Sequence, residues 1–145
     1  MDQKRLTAAV EKSLQAEGFQ RPAEVSLSLI GDADMRELNR DYRGFDKPTD
    51  VLSFSQLEEG ESTVEQSNAI EGEPILLGDI VISVETAKRQ ADDKGHDLEA
   101  ELDLLVVHGM LHLLGYDDET DEGAEQMRER ENNILRQLEH GRTAG

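Results

Sequence analysis

Residues 97–118 read DLEAELDLLVVHGMLHLLGYDD, and the rest of the chain is arranged around them. Leu98, Leu102, Leu105, Val106, Leu111 and Leu113 make the segment apolar nearly all round, which predicts a central, buried helix. Asp97 stands where it can cap that helix, and Glu99 and Glu101 in the first turn suit its dipole. His108 and His112 are four residues apart, so both imidazoles leave one face a turn apart and can reach one point. Gly115 follows three residues later, where a left-handed residue can end the helix and turn the chain back. Asp118 comes three residues after the glycine. Two ligands on a helical turn, a reversal and a returning carboxylate make a three-ligand metal site with an open position, as catalytic zinc requires. One histidine on such a helix is more often a satisfied core residue; two, followed by Gly and Asp at this spacing, favour a metal. His96 and His140 lack that context and read as surface residues.

The residue after His108 is Gly109, where HExxH proteases carry a glutamate as general base. Glycine cannot take a proton from water, so a protease reading is weakened and the metal itself would have to acidify the water. Glycine inside a helix costs ~1 kcal/mol relative to alanine. Two readings stay open for Gly109: close packing against a neighbouring element, or room for substrate beside the metal.

Working outward, residues 3–17 place Leu6, Val10 and Leu14 at helical spacing, with Gly18 as a stop. Glu24–Ile30 alternates apolar and polar residues as a half-buried strand does. Gly31 breaks it, and Asp32 is expected to cap a helix running through Arg36, Leu38 and Tyr42 to Gly44. Pro48 imposes an extended or turn conformation on Lys47, and Val51–Phe54 reads as a short strand. Residues 56–74 hold six glutamates and no basic residue and read as a solvated, mobile acidic loop closed by Pro74. Ile75–Val84 is the most apolar strand, interrupted at Gly78-Asp79, and a short helix over Glu85–Asp93 follows. Asp121–Glu139 reads as a charged helix with Ala124, Met127, Ile134, Leu135 and Leu138 turned inward, ahead of a frayed GRTAG tail. The order helix, strand, helix, strand, strand, helix, helix, helix predicts an α+β fold, a small sheet packed with helices, in a single domain over residues 1–145.

Composition narrows the function. The chain has 33 acidic and 15 basic residues, a net charge of −18, which works against non-specific binding to nucleic acid or to an anionic membrane. It has no cysteine, which excludes disulfides, thiolate zinc sites and a cysteine nucleophile and leaves His, Asp and Glu as ligands. No stretch approaches the ~20 apolar residues of a membrane span, and the first residues show no signal-peptide core, so the expectation is a cytoplasmic protein. Three Phe, two Tyr and no Trp are too few for the stacking platforms of single-strand binders. Arg40, Arg43 and Lys47 form a basic island in this acidic chain, either a solvated helix end or a phosphate clamp.

Taken together, NRDYRGFDKPTDVLSF from Asn39, LLGDIVIS from Leu76 and HGMLHLLGYD from His108 resemble the YbeY family of bacterial endoribonucleases, over about Glu24 to Glu139. The resemblance implies a zincin-like α+β fold, one bound metal ion, usually zinc, and hydrolysis of single-stranded RNA. It also implies a role in rRNA maturation, notably at the 3′ end of 16S rRNA, and in ribosome quality control, with the ribosome or its proteins as partners. It maps the family's metal histidines onto His108 and His112 and its essential arginine onto Arg43. The family's third histidine is Asp118 here. Two histidines and a carboxylate still make a competent zinc site, but one of charge +1 instead of +2. An activity optimum at higher pH than in a three-histidine relative is therefore expected. Asp117 and Glu119 rank below Asp118 as alternative ligands. Relatives usually begin with a strand before the first helix; this chain begins at the helix, so its sheet is expected to lack one strand.

The expected chemistry is phosphodiester hydrolysis at one metal held by His108, His112 and Asp118, with Arg43 acting on the developing phosphate charge and Arg40 and Lys47 binding substrate. No second metal site and no general base are evident. The net charge points to weak intrinsic RNA affinity and marked salt sensitivity. The alternatives are a zinc-dependent peptidase or other small-molecule hydrolase, and a non-catalytic ribosome-associated metal-binding module.

Overall fold

The computed structural model describes residues 3–19, 22–56 and 75–144. The acidic loop expected over 56–74 lies, apart from Gln56, outside them. Eight elements follow in order: α1 (Gln3–Ala16), β1 (Ala23–Ile30), α2 (Asp32–Arg43), β2 (Val51–Ser55), β3 (Ile75–Ser83), α3 (Val84–Lys94), α4 (Leu98–Leu113) and α5 (Asp121–Ala144). This is the expected α+β order, with α5 continuing to Ala144 through residues read above as a frayed tail.

The sheet is mixed and three-stranded among the described residues, in the order β1-β3-β2. β3 runs parallel to β1 and antiparallel to β2. β3, the middle strand, buries Ile75, Leu77, Ile80 and Ile82 while Leu76 is exposed, and β1, at an edge, alternates half-buried and exposed positions. Glu24 pairs with Leu76 but Val25 with Gly78, so Leu77 is an extra residue in β3. The bulge needs the adjoining glycine: a Cβ on Gly78 would stand 2.2 Å from the carbonyl oxygen of Phe54 on β2.

α4 lies at the centre and packs on α1, α3, α5, β2 and β3. Leu102, Leu105, Val106, Val107, Met110, Leu111 and Leu113 are all buried. Burying each such side chain contributes roughly 1.5–3 kcal/mol relative to leaving it in water. Two charges are buried with them and both are paired, as burial requires. Glu101 accepts from Lys94 Nζ at 2.9 Å and stands 2.7 Å from His96 Nε2. Asp103 accepts from Arg5 Nη2 at 3.0 Å, which ties α1 to α4. His96 is therefore a partner of a buried carboxylate and not an idle surface residue; the side chain of His140 lies outside the description.

Two helix starts differ from the sequence expectation. Asp32 is the first residue of α2 and not its cap, which is Gly31. The Asp32 carboxylate instead accepts the hydroxyls of Ser83 and Thr86, each at 2.6 Å, and meets Arg89 Nη1 at 2.8 Å. Asp32 thus joins α2 to the start of α3, and these partners, Ser83 first, hold its pKa down from the ordinary 3.8 to about 2. Asp97 occupies the cap position of α4, but its side chain makes no capping hydrogen bond.

Candidate metal centre

The packing of α4 on the sheet fixes where its histidines sit. A Cβ on Gly109 would stand 3.1 Å from two side-chain carbons of Ile80, which is fully buried on β3. Of the two readings of Gly109, close packing is therefore the one the structure supports. His108 and His112 are half-buried and turn their Nε2 atoms to within 3.1 Å of each other. The rings meet edge-on, with centroids 4.7 Å apart.

After Leu114, Gly115 takes φ +105°, a conformation that side chains with a Cβ rarely adopt. Its N–H donates to the carbonyl of His112, and that of Tyr116 to the carbonyl of Leu111. The reversal brings Asp118 Oδ2 to 3.8 Å from His108 Nε2 and 3.7 Å from His112 Nε2. One ligand atom from each of the three residues lies within 4.8 Å of the others, and no other trio of such groups gathers this way among the described residues. Tetrahedral zinc with bonds near 2.0–2.1 Å sets its donors roughly 3.3–3.4 Å apart. The imidazole pair is close to that spacing, and the exposed Asp118 side chain can close the remaining few tenths of an ångström. The donor set of two neutral nitrogens and one carboxylate fits a divalent ion with a position left open. Asp117, the second carboxylate considered above, accepts instead from the backbone N–H of Glu119 at 2.8 Å.

Both rings are held from behind. His108 Nδ1 is hydrogen-bonded to Glu131 Oε1 on α5, and His112 Nδ1 lies 3.2 Å from the carbonyl oxygen of Tyr116. An Nδ1–H donated to an oxygen selects the tautomer whose Nε2 lone pair is free for a metal. The Glu131 hydrogen bond also holds the His108 imidazolium above its ordinary pKa, against the opposing effect of burial, with the charges of Glu131, Asp118 and Asp50 adding to it. Tyr116 is anchored in turn: its hydroxyl donates to Glu17, in the turn after α1, and Arg130 Nε of α5 donates to the same carboxylate at 2.7 Å. α5, the reversal after α4 and the turn after α1 thereby fix the orientation of the two imidazoles.

Glu131 was not singled out from the sequence, although a signal was present. It falls on the inward stripe of α5, four residues after Met127 and three before Ile134, both buried. A carboxylate on a buried stripe requires a partner, and His108 is that partner.

Arg40, Arg43 and Lys47 are exposed at the end of α2 and in the turn after it. Among the described residues no hydrogen bond or ion pair joins them to His108, His112 or Asp118. Arg40 meets Asp41 at 3.4 Å, and Arg43 and Lys47 both lie against the ring of Phe45. A cleft of about 370 Å³ opens beside His108, lined in part by Asp50, Asp93, Lys94, Glu101 and Glu131. Four carboxylates against one ammonium make that cleft a poor host for a phosphate.

These features sit in a recognisable lineage. The family model described as Endoribonuclease YbeY matches residues 1–139. A protein named Endoribonuclease YbeY from Moorella thermoacetica is 52% identical over 130 residues, covering 90% of this chain and 82% of the relative. One of the same name from Bacillus velezensis is 49% identical over 130 residues, covering 87% and 82%. A solution structure from Thermotoga maritima superposes with a TM-score of 0.64 at 26% identity, covering 97% of this chain and 83% of that one. With its central helix, its glycine reversal and matches of this extent, the chain belongs to the YbeY family.

Proposed function

We propose that this protein is a metal-dependent endoribonuclease of rRNA maturation, cleaving single-stranded RNA at one ion held by His108, His112 and Asp118. The observation that carries the reading is the convergence of those three donors, each imidazole already fixed through Nδ1, in a chain about half identical to endoribonucleases. Zinc is the ion this donor set suits best. When bound, it supplies Lewis acidity toward a phosphate oxygen and lowers the pKa of water. Glu131 and the Tyr116 carbonyl hold the two imidazoles so that no reorganisation is needed as charge develops. Arg43 meets the charge on the phosphate, and Arg40 and Lys47 bind flanking phosphates through exposed cationic heads. With Gly109 after His108, the helix places no general base there, and none is assigned. Action at the 3′ end of 16S rRNA, association with the ribosome and a cytoplasmic setting belong to this reading. Among the described residues, no helix is long and apolar enough to cross a membrane.

The peptidase alternative has the acidic cleft beside His108 in its favour, because a cationic peptide would tolerate it better than RNA. One experiment separates the readings. Purified protein is analysed for metal beside His108→Ala and Asp118→Ala, then given single-stranded RNA, duplex RNA and a peptide library. About one ion per chain, lost in both variants together with single-strand cleavage, is the expected result. Peptide turnover without RNA turnover would replace the nuclease by a peptidase, and metal without turnover of either would leave a non-catalytic module.

A further inference from the structure

Tyr42 and Phe45, 68% and 50% exposed, are the most exposed large hydrophobic residues among those described, and they flank Arg43. The Arg43 guanidinium carbon lies 5.4 Å from the Phe45 ring centroid and Lys47 Nζ lies 5.9 Å from it. Neighbouring cations are engaged: Arg36 pairs with Asp46 at 2.8 Å and Arg40 with Asp41 at 3.4 Å. Arg43 and Lys47 form no ion pair among the described residues, in a chain where acidic groups outnumber basic ones 33 to 15. Two cations without carboxylate partners, both turned to one half-exposed ring, are an unusual use of scarce positive charge.

The turn that presents the ring is also fixed. Gly44, at φ +79°, ends α2, and its N–H donates to the Arg40 carbonyl at 3.1 Å. Buried Asn39 donates from Nδ2 to the Lys47 carbonyl at 2.8 Å, and Lys47 N–H donates to the Phe45 carbonyl at 2.9 Å. Arg36 grips both Asp46 oxygens, at 2.8 and 3.0 Å. A turn ordered this way loses little further entropy on binding.

We propose that Phe45 is a stacking platform for a base of single-stranded RNA, with Arg43 and Lys47 holding the phosphates on either side of that base. The proposal rests on the endoribonuclease reading and adds a substrate subsite to it. Free, each cation rests against the ring within the ~6 Å range of cation–π contact. A nucleobase takes a face of the ring in place of a cation, and the displaced cation meets the adjacent phosphate. Chain length puts Phe45 at most about 18 Å from Asp50, which lines the cleft beside His108. That reach allows the stacked base to be the one beside the scissile bond, with Arg43 on the scissile phosphate and Lys47 on the next. The chain carries five aromatic rings in all, but one ring fixed and bracketed by free cations is enough for a single base.

The chain contains no tryptophan, so Phe45→Trp introduces a single indole at the site, which can be excited selectively over the two tyrosines. The probes are a non-cleavable 2′-O-methyl oligoadenylate and an abasic sugar-phosphate oligomer of equal length. Saturable quenching by the first and not by the second is expected. With cleavable single-stranded RNA, Phe45→Ala raises KM about 5–10-fold with kcat within twofold, and Phe45→Trp restores KM. Equal response to both oligomers, or an unmoved KM in Phe45→Ala beside an active wild type, overturns the platform. If the wild type cleaves no RNA, the endoribonuclease reading falls by itself, and the quenching pair still decides the role of the ring.

Discussion

Removing the Glu131 carboxylate should loosen the metal without unfolding the protein. Glu131 sits on α5 with its side chain 12% exposed and its Oε1 hydrogen-bonded to His108 Nδ1. It touches no metal itself; it sets which nitrogen of His108 is bare and where that nitrogen points. Loss of such a partner typically costs 10–100-fold in metal affinity, about 1.4–2.7 kcal/mol. The roughly 1.5–3 kcal/mol assigned to a hydrogen bond with a charged group gives the same range by a separate route. Glu131→Gln keeps an acceptor oxygen at the same reach and loses the charge, so it should fall near tenfold; Glu131→Ala should approach a hundredfold. The measurement is competition for zinc against a chromophoric chelator, with the visible spectrum of the cobalt-loaded protein reporting ligand geometry. Unfolding curves in excess chelator check that the metal-free fold is retained. Zinc affinity of Glu131→Ala within twofold of wild type, with an unchanged cobalt spectrum, would refute the positioning role.

Asp118→His should restore a three-imidazole site of charge +2, and the pH optimum of RNA cleavage should move down relative to wild type; a profile that stays or moves up would falsify the charge argument. Asp32→Asn should lower stability at neutral pH by on the order of 1 kcal/mol, discounted for solvent screening. The sign follows from its folded pKa of about 2 against an ordinary 3.8. The contribution is complete above about pH 4 and is lost as pH falls through about 2. Urea unfolding of the two proteins should therefore differ at pH 7 and converge at the acid end, and a constant gap would count against the Asp32 network.

The sequence specified helix and strand order well because its signals were local. Alternation in Glu24–Ile30, the near-continuous apolar run of β3 and the all-round apolar α4 each report burial directly. The reach of Asp118 was legible for the same reason, since only five residues, a glycine among them, lie between it and His112. The supports of the site were not, because each depends on elements far apart in the chain. Glu131 meets His108 across 23 positions, and Glu17 meets Tyr116 across 99. The alternatives for Gly109 could be separated only once Ile80 on β3 was in place beside it. A count of aromatic residues likewise carries no information about exposure or about which charges lie beside a ring, the two features that set Phe45 apart.

The charge of −18 sets a further test, because it leaves few cations for RNA to use. Single-stranded nucleic acid releases counterions in proportion to the phosphates neutralised, so log K falls with log salt at about −0.7 per contact. If binding runs through Arg40, Arg43 and Lys47, the slope should be about −2, and Lys47→Ala should reduce it to about −1.4. Arg40→Ala should change it less, because Asp41 already lies 3.4 Å from that guanidinium. The acidic cleft beside His108 adds nothing to the slope, since its one ammonium, Lys94, is held by buried Glu101. Fluorescence anisotropy of a labelled oligonucleotide across a salt series measures all three proteins. A wild-type slope of −4 or steeper would place the RNA on a surface outside this island. A slope unchanged by Lys47→Ala would remove that residue from phosphate binding. Near −2, the protein is one whose own grip on RNA is weak and local, so that a ribonucleoprotein partner has to supply the rest of the affinity.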